Sequence, residues 1–335
     1  MLGLAVGDAL GMPTQELSRA RAQELLGAGP GYLDGPPDNP ISAGMPAGSV
    51  TDDTEQALLV AGLLVRGRGR IDPASLCQAL LSWQDEMIAR GSLDLLGPST
   101  QAALSAVRAG ADPATTGRSG TTNGAAMRVT PVGIACPATD LDALVGAVAD
   151  AGRVTHDTPQ ARSGAAAVAA VVSAGVAGAT FAQAAPLAVE AAARAGSAEL
   201  ARLVGDAVRE FGSLDLGGRE PRPGNASPAE DPSHAENLVL DRIVARFGTS
   251  LATVESVPAA FAVAALSPRD AWRAGWLGAR LGGDADTIAA MAAAMVGACT
   301  GAKALPGNAI AGLRVDRAAV ATVVHGLLEL RNGRR

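Results

Sequence analysis

Two short acidic motifs lie far apart in the sequence, and each stands where a long alanine-rich helix is predicted to begin. Each motif combines two aspartates with a threonine hydroxyl, and such hard oxygen donors suit Mg²⁺ or Mn²⁺ better than zinc. Four carboxylates gathered at one place would repel each other, and two divalent cations would balance their charge. The motifs therefore predict a dinuclear Mg²⁺ or Mn²⁺ site. The carboxylates concerned are those of Asp52 and Asp53 in the first motif and those of Asp284 and Asp286 in the second.

Helix capping is the alternative interpretation of each motif taken alone. Acids in a first helical turn interact favourably with the helix dipole, and a threonine side chain can accept a hydrogen bond from an open amide. Neighbouring residues at a helix start point about 100° apart, so Asp52 and Asp53 could face different ions, or one of them could bridge both. Because the pattern occurs twice in one chain, we expect a metal site rather than two unrelated caps.

Three other positions could contact a ligand. Small residues in segment 121–128, around Asn123 and Gly124, could bind phosphate or ribose oxygens, although an ordinary capping turn has a similar composition. Asp94 is an isolated acid in a loop, where such residues more often stabilise the loop. His156 follows a predicted helix, and a lone histidine there is more often structural or solvated than catalytic.

The elements that must position these residues are helices. Strand-like alternation never extends beyond a few residues, so the sequence predicts an all-α fold. A capping side chain followed by proline marks helix starts at Asp72-Pro73 and Ser267-Pro268, whereas segment 129–135 could be a short strand or a connector. The predicted helices are 2–11, 18–26, 52–65, 73–89, 100–109, 141–155, 159–174, 180–195, 198–211, 234–247, 257–265, 268–281, 285–300 and 316–330.

Composition excludes several classes of protein. The 335-residue chain is 48% hydrophobic, enough to bury a large core, and we predict one domain over 1–335 with an exposed insertion at 213–232. The net charge is −6 and no basic run could hold a phosphate backbone, so nucleic-acid binding is not expected. Aromatic residues make up 2% of the chain, so a bound base would find few rings on which to stack.

Cysteine usage and apolar stretches indicate a cytoplasmic protein. Cys77, Cys136 and Cys299 are far apart and lack metal-ligand spacing, which fits reduced thiols. The apolar start of the chain has no basic flank and contains Asp8, so a secretory signal is not expected. Apolar stretches such as 165–182 are rich in alanine and glycine, which indicates buried helices rather than membrane spans.

Five motifs in one order resemble the ADP-ribosylglycohydrolase family, which includes the dinitrogenase reductase-activating glycohydrolase and the ADP-ribosylarginine and ADP-ribosylserine hydrolases. These motifs are 3–11, 51–54, 123–128, 155–156 and 283–289, and the resemblance spans most of the chain, about 2–306. The resemblance implies an orthogonal all-α bundle with a dinuclear Mg²⁺ or Mn²⁺ centre in a cleft. It also implies which residues hold the two metals: Thr51, Asp52, Asp53, Asp284, Asp286 and Thr287.

The same resemblance implies residues that bind the substrate. Asn123, Gly124 and Ala125 resemble the family's loop around the distal ribose and the diphosphate. His156 resembles the family's histidine beside the cleft, and Asp94 resembles, more loosely, an acid near the metals.

Two departures from the family pattern concern the substrate. Gln15 stands where relatives that act on protein-linked ADP-ribose often have a glutamate, and a neutral amide cannot accept a proton as a carboxylate does. We expect Gln15 to contact the substrate and Glu16 to face another direction. Thr121 and Thr122 occupy a stretch where adenine-binding relatives often have an aromatic residue. Both departures weaken the case for protein-linked ADP-ribose and leave room for a smaller N- or O-glycoside of ribose, including a nucleoside-like one.

Hydrolysis of a ribosyl glycosidic bond is the expected reaction. The ribose 2- and 3-hydroxyls would bind two ions, a metal-bound water would have a lowered pKa, and Asp53 or Asp286 would take its proton as the catalytic residue. A two-carboxylate glycosidase is an alternative that needs no metal. The expected partner is a small ADP-ribosyl or ribosyl substrate, or an ADP-ribosylated protein.

Two rival functions belong to other classes. An inactive relative could bind ADP-ribose or a nucleotide without cleaving it, and Gln15 gives this rival some weight. An enzyme of isoprenoid diphosphates would also use an aspartate-rich motif such as 52–55, but its cavity would be lined with aromatic residues that this chain lacks. A purely structural helical protein would not explain the paired acidic motifs.

Overall fold

The computed structural model describes residues 1–27, 29–92, 96–214 and 232–333, whose regular elements are α-helices and three short 3-10 helices joined by loops. No β-strand occurs in those ranges, so the all-α prediction is confirmed. The helices are α1 (Leu2–Gly11), α2 (Arg19–Leu25), α3 (Asp52–Arg66), α4 (Pro73–Ala89), α5 (Pro98–Arg108), α6 (Gly124–Met127), α7 (Thr130–Ala135), α8 (Leu141–Gly152), α9 (Pro159–Val176), α10 (Phe181–Arg194), α11 (Ala198–Gly212), α12 (Pro232–Phe247), α13 (Thr253–Leu266), α14 (Ala271–Ala279), α15 (Ala285–Thr300), α16 (Gly307–Gly312) and α17 (Arg317–Arg331).

Several predicted boundaries need correction. Segment 129–135 contains helix α7 rather than a strand. The helix start predicted at Ser267-Pro268 is wrong, because Ser267 ends α13 and Asp270 caps α14, accepting a hydrogen bond from the Arg273 amide at 3.0 Å. Helices α6 and α16 are too short to produce a helical repeat in the sequence. Most of the predicted insertion 213–232 lies outside the described residues.

Helix α1 packs directly on α15 because one face of α1 has no side chains. Gly3, Gly7 and Gly11 follow each other at intervals of four residues, which places them on the same face. A Cβ atom at Gly7 would overlap the carbonyl group of Ala289 and come 2.8 Å from Ala293 Cβ. The two helices are therefore in backbone contact, which only glycine permits at these positions.

Helices α9, α13 and α15 form the centre of the hydrophobic core, and most of their side chains are buried. All three are rich in alanine, and small side chains let helix axes approach closely. The largest cluster of buried apolar side chains extends from Ala5 to Leu327. Within the described residues, no helix has the length and apolar character that crossing a membrane would require.

Candidate active site

Asp8 connects helix α1 to the first acidic motif. Its carboxylate is fully buried and accepts hydrogen bonds from the backbone amides of Thr51 and Thr54, each at 3.1 Å. The hydroxyls of both threonines donate to the same carboxylate. Thr51 in turn accepts a hydrogen bond from the Asp53 amide at 3.3 Å. The capping interpretation is therefore correct for Thr51, but it gives no role to the carboxylate of Asp53.

A left-handed turn positions the second acidic motif. Gly282 and Gly283 have φ angles of 70° and 65°, which glycine adopts readily. The Gly283 amide donates to the Leu17 carbonyl at 2.8 Å, and the Glu16 amide donates to the Gly283 carbonyl at 2.7 Å. This pairing holds the start of α15 beside the loop that follows α1.

The two acidic motifs meet at the hydroxyl of Thr287. This oxygen lies 3.1 Å from Asp53 Oδ2 and 3.1 Å from Asp284 Oδ1, so it joins acids from the two ends of the chain. The Thr51 hydroxyl lies 3.4 Å from the same Asp53 oxygen. Asp53, Asp284 and Asp286 are each at most 5% exposed. The structure thus brings both motifs into one buried site.

Burial and repulsion act together on these carboxylates. Burial raises the pKa of Asp53 well above its ordinary value, and the charges of four neighbouring aspartates add to this effect. Burial also raises the pKa values of Asp8 and Asp284 to about 6, against the opposing effect of their hydrogen bonds. One carboxylate oxygen, Asp53 Oδ1, is buried without a hydrogen-bond partner. A cluster of buried acids is costly unless positive charge compensates it.

A cavity of about 240 Å³ lies at the meeting point of these elements. Eight of the predicted site residues line it: Gln15, Asp52, Asn123, Gly124, His156, Asp284, Asp286 and Thr287. A larger cavity of about 370 Å³, near the other end of α15, is lined almost entirely by apolar side chains. The larger cavity contains none of the predicted site residues, so the smaller cavity is the candidate active site.

Other predicted residues do not line this cavity. Thr51 and Asp53 are at most 1% exposed and lie behind the residues of the cavity wall. Asp53 is connected to that wall by its hydrogen bond with the Thr287 hydroxyl. Gly124 lies on the cavity wall, whereas Ala125 belongs to the hydrophobic core. The two residues face different directions because neighbouring residues of a helix point about 100° apart. Ala125 is therefore not placed to contact a substrate. Asp94 lies outside the described residues.

The side chain of Asn123 is turned toward the second acidic motif. Its amide nitrogen donates to Asp284 Oδ2 and to the Ser256 hydroxyl, the latter at 2.8 Å. The Asn123 backbone amide donates to the Leu251 carbonyl at 2.9 Å. Asn123 therefore positions Asp284 in addition to lining the cavity.

His156 lines the cavity although it is only 1% exposed. Its Nδ1 lies 2.7 Å from the Thr155 hydroxyl, and its Nε2 lies 2.8 Å from the Thr122 hydroxyl. Gly124 makes room for the ring, since a Cβ atom there would come 2.6 Å from His156 Cε1. Burial and the nearby charge of Arg128 lower the pKa of His156 well below its ordinary value, so the imidazole is neutral at pH 7.

Gln15 and Glu16 both line the cavity, so the expectation that Glu16 faces another direction is wrong. Glu16 has a φ angle of 59°, a left-handed conformation that is uncommon for residues other than glycine. In an extended backbone, consecutive side chains point to opposite sides, so the left-handed conformation of Glu16 explains why Gln15 and Glu16 both reach the cavity. Gln15 is 6% exposed, and its side-chain nitrogen is buried without a hydrogen-bond partner.

We expect Glu16→Gly to raise the free energy of unfolding by about 0.5–1 kcal/mol, because glycine adopts the left-handed conformation without strain. Urea denaturation would measure this change. Glu16→Ala is the matched control, since it also removes the carboxylate but keeps the strained backbone. Equal stability of the two variants would contradict the strain at this position.

Three supporting residues were not identified from the sequence: Asp8, Gln56 and Arg128. Asp8 is a lone acid within an apolar helix, which is a signal that could have revealed it. Gln56 lies one helical turn after Asp52, and its side-chain nitrogen donates to the Asp52 carboxylate at 2.8 Å. Arg128 is only 1% exposed, and no sequence pattern predicts the burial of an arginine.

Comparison with known proteins gives the family. A family model described as ADP-ribosylglycohydrolase matches residues 1–335. Uncharacterized protein YegU of Escherichia coli K12 is 34% identical over 305 residues, which cover 91% of this chain and 87% of YegU. ADP-ribosylarginine hydrolase Tri1 of Pseudomonas putida GB-1 is 33% identical over 145 residues, 40% of this chain and 34% of Tri1.

A solved structure shares the fold over nearly the whole chain. It is described as an ADP-ribosylglycohydrolase-related protein complex, with a TM-score of 0.60, 26% identity, and coverage of 98% of this chain and 95% of that one. The resemblance seen in the five motifs is thereby confirmed, and so is the prediction of a glycoside-hydrolysing enzyme. The chain belongs to the ADP-ribosylglycohydrolase family.

Proposed function

We propose that this enzyme hydrolyses the glycosidic bond of an ADP-ribosyl or smaller ribosyl compound with the help of two divalent cations bound at the acidic motifs. The observation that carries the proposal is the Thr287 hydroxyl, which lies 3.1 Å from both Asp53 and Asp284 beside a cavity of about 240 Å³. Family membership supports the ADP-ribosyl bond as the site of cleavage. The cations and the identity of the leaving group are our own inference.

The donor atoms fit hard cations. Asp53 Oδ1 is a buried oxygen without a hydrogen-bond partner, and the surrounding aspartates supply the negative charge that such ions neutralise. Within the described residues, no three Asp, Glu, His or Cys side chains are grouped closely enough to hold an ion by themselves. The four aspartates of the two motifs are therefore farther apart than expected for carboxylates that converge on one point. Threonine hydroxyls and water would complete the ligand set, as Mg²⁺ commonly keeps several waters.

The side chains of the site have separate roles in this reaction. When bound, the cations would lower the pKa of a water molecule and stabilise charge on the ribose oxygens. Asp53 and Asp286 are the candidate proton acceptors, since both are buried acids of the two motifs. Asn123 holds Asp284 in place by a hydrogen bond. Gln15 offers the cavity a buried amide donor without a protein partner, which suits a substrate oxygen.

The size of the cavity favours a small ribosyl substrate. Sites for drug-sized ligands commonly measure about 300–1,000 Å³, and this cavity measures about 240 Å³. A ribose and a compact leaving group fit such a space more easily than a complete ADP-ribosylated side chain. Tri1 carries the name of an ADP-ribosylarginine hydrolase, so that substrate is the main competitor.

A substrate screen tests the proposal. ADP-ribosyl-arginine, ADP-ribosyl-serine, ADP-ribose and ribonucleosides would each be incubated with the enzyme in the presence of Mn²⁺ or of EDTA. We expect release of the leaving group from at least one compound and its loss with EDTA. Binding of ADP-ribose without turnover of any compound would favour the inactive binding relative instead.

Metal binding should stabilise the folded protein. Cations that bind only the native state would raise its free energy of unfolding, by about 2.7 kcal/mol per site at a concentration 100 times the dissociation constant. We therefore expect millimolar Mn²⁺ to raise the melting temperature, with NaCl of equal ionic strength as the control. An unchanged melting curve would contradict a preformed site.

A cytoplasmic location remains part of the proposal. It is supported by the three cysteines, all of which are free thiols: Cys77 is buried, and Cys136 and Cys299 are partly buried.

A further inference from the structure

A chain of hydrogen bonds leads from Arg128 to the wall of the cavity. Arg128 donates through Nη2 to the Thr155 hydroxyl, which lies 2.7 Å from His156 Nδ1. On the other side of the ring, His156 Nε2 lies 2.8 Å from the hydroxyl of Thr122, a residue of the cavity wall. Arg128, Thr155 and His156 are each at most 1% exposed, so these groups are shielded from bulk water.

The direction of each hydrogen bond in this chain follows from its first member. A guanidinium group has donors and no acceptor, so the Thr155 oxygen must accept from Arg128. The Thr155 hydroxyl proton then needs an acceptor of its own, because a buried hydroxyl without one costs about 1–3 kcal/mol. Among the described residues, the remaining neighbour of this hydroxyl is His156 Nδ1. Thr155 therefore donates to Nδ1.

The tautomer of His156 follows from that donation. A neutral imidazole has one donor nitrogen and one acceptor nitrogen, and Nδ1 is already the acceptor. Nε2 consequently carries the proton and donates it to the Thr122 hydroxyl. In the described part of the chain, the Thr122 hydroxyl proton has no protein acceptor, so it is available to a ligand in the cavity.

Arg128 orients a second amide by the same logic. Its Nη1 donates to Gln56 Oε1 at 3.0 Å, which turns the Gln56 nitrogen toward the Asp52 carboxylate, 2.8 Å away. The buried guanidinium of Arg128 thus sets the direction of two series of hydrogen bonds. One series ends at Asp52 of the first motif, and the other ends at Thr122 on the cavity wall.

We propose that Arg128 is a positioning residue that fixes His156 as the Nε2–H tautomer and thereby makes Thr122 a hydrogen-bond donor to the substrate. The group that Thr122 meets must offer an acceptor atom, such as a phosphoryl, carbonyl or hydroxyl oxygen. The role in substrate binding depends on the proposed function, whereas the tautomer is a property of the protein alone.

The tautomer is tested first, by long-range proton–nitrogen NMR of the imidazoles at pH 7. The chain contains three histidines, and His234 and His325 are exposed, so they serve as internal references. His156→Gln would assign the remaining signal. We expect His156 to be protonated at Nε2 and unprotonated at Nδ1. A proton on Nδ1 would overturn the proposal, whether or not the enzyme hydrolyses any tested compound.

Two pairs of variants test the donor at Thr122. Thr122→Val removes the hydroxyl, and we expect it to raise KM roughly 10–100-fold with a smaller change in kcat, while Thr122→Ser keeps the native KM. Thr155→Val should raise KM several-fold in the same direction although Thr155 does not line the cavity, and Thr155→Ser should not. If no turnover is found, calorimetric titration with ADP-ribose gives the same comparison as dissociation constants.

The outcomes separate this proposal from a structural role of the residues. Unchanged ligand affinity in Thr122→Val would overturn the donor role. A loss in Thr122→Val together with native affinity in a folded Thr155→Val variant would overturn the positioning role of Arg128 and Thr155. Circular dichroism and melting curves would establish that each variant is folded.

Discussion

Replacing Asp53 by asparagine should abolish metal-dependent hydrolysis while raising the melting temperature of the metal-free protein. Asparagine has nearly the same shape but cannot provide the negative charge that a divalent cation requires, and loss of one metal ligand should lower kcat/KM by about 10³-fold or more. Initial rates and melting curves, each with Mn²⁺ and with EDTA, would measure both effects.

The gain in metal-free stability has a definite pH dependence. The pKa of Asp53 is raised well above its ordinary value in the folded protein, first by burial and then by the charges of Asp286, Asp52, Asp8 and Asp284. The unfolded chain therefore releases this proton at a lower pH than the folded protein does, and ionisation of Asp53 destabilises the fold as the pH rises. In EDTA, the advantage of Asp53→Asn should be large at pH 8 and disappear near pH 4.

A matched control distinguishes this account from helix capping. Asp140 caps α8, accepting a hydrogen bond from the Ala143 amide at 3.0 Å, and it is exposed. Asp140→Asn should leave activity and metal response unchanged, because asparagine caps helices about as well as aspartate. If Asp53→Asn behaved like this control, with native activity and a native response to Mn²⁺, Asp53 would have no role beyond its helix.

Gly7→Ala should destabilise the protein by about 1–3 kcal/mol or more and reduce activity, although Gly7 does not line the cavity. The new Cβ atom would overlap the Ala289 carbonyl and lie 2.8 Å from Ala293 Cβ, so α1 and α15 would have to separate. Helix α1 carries Asp8, which holds the start of α3, and α15 carries the second acidic motif. Any separation therefore widens the distance between the two motifs.

Gly146→Ala is the control for this prediction. Gly146 lies in α8, is exposed, and would place its Cβ atom in open space. Alanine is the better helix former, so this variant should be more stable than the native protein by about 0.5–1 kcal/mol. Urea denaturation of both variants would measure the difference. Native stability and activity in Gly7→Ala would contradict the backbone contact between α1 and α15.

Local signals in the sequence were sufficient where a short segment determines its own structure. Helix α3 begins at Asp52 and α15 begins at Ala285, as predicted from the helical pattern that follows each acidic motif. Gly282 and Gly283, which precede α15, both lie in the left-handed region that glycine adopts readily. Such features depend on residues next to each other in the chain, which a single sequence displays directly.

Contacts between distant segments could not be predicted in the same way. The role of Asp8 depends on α1 lying beside α3, and no pattern within 1–11 indicates that neighbour. The direction of Glu16 was mistaken because its φ angle of 59° is stabilised by pairing with Gly283, which lies in another part of the sequence. Arg128 is buried because Gln56 and Thr155 accept its hydrogen bonds, and this too is visible only in the folded protein.

The most direct measurement is the anomalous scattering of crystals soaked in Mn²⁺. Two peaks should lie in the cavity beside Thr287, each within about 2.6 Å of carboxylate or hydroxyl oxygens, and together they should contact both acidic motifs. A map with no peak in this cavity, or with peaks touching one motif alone, would contradict the dinuclear site.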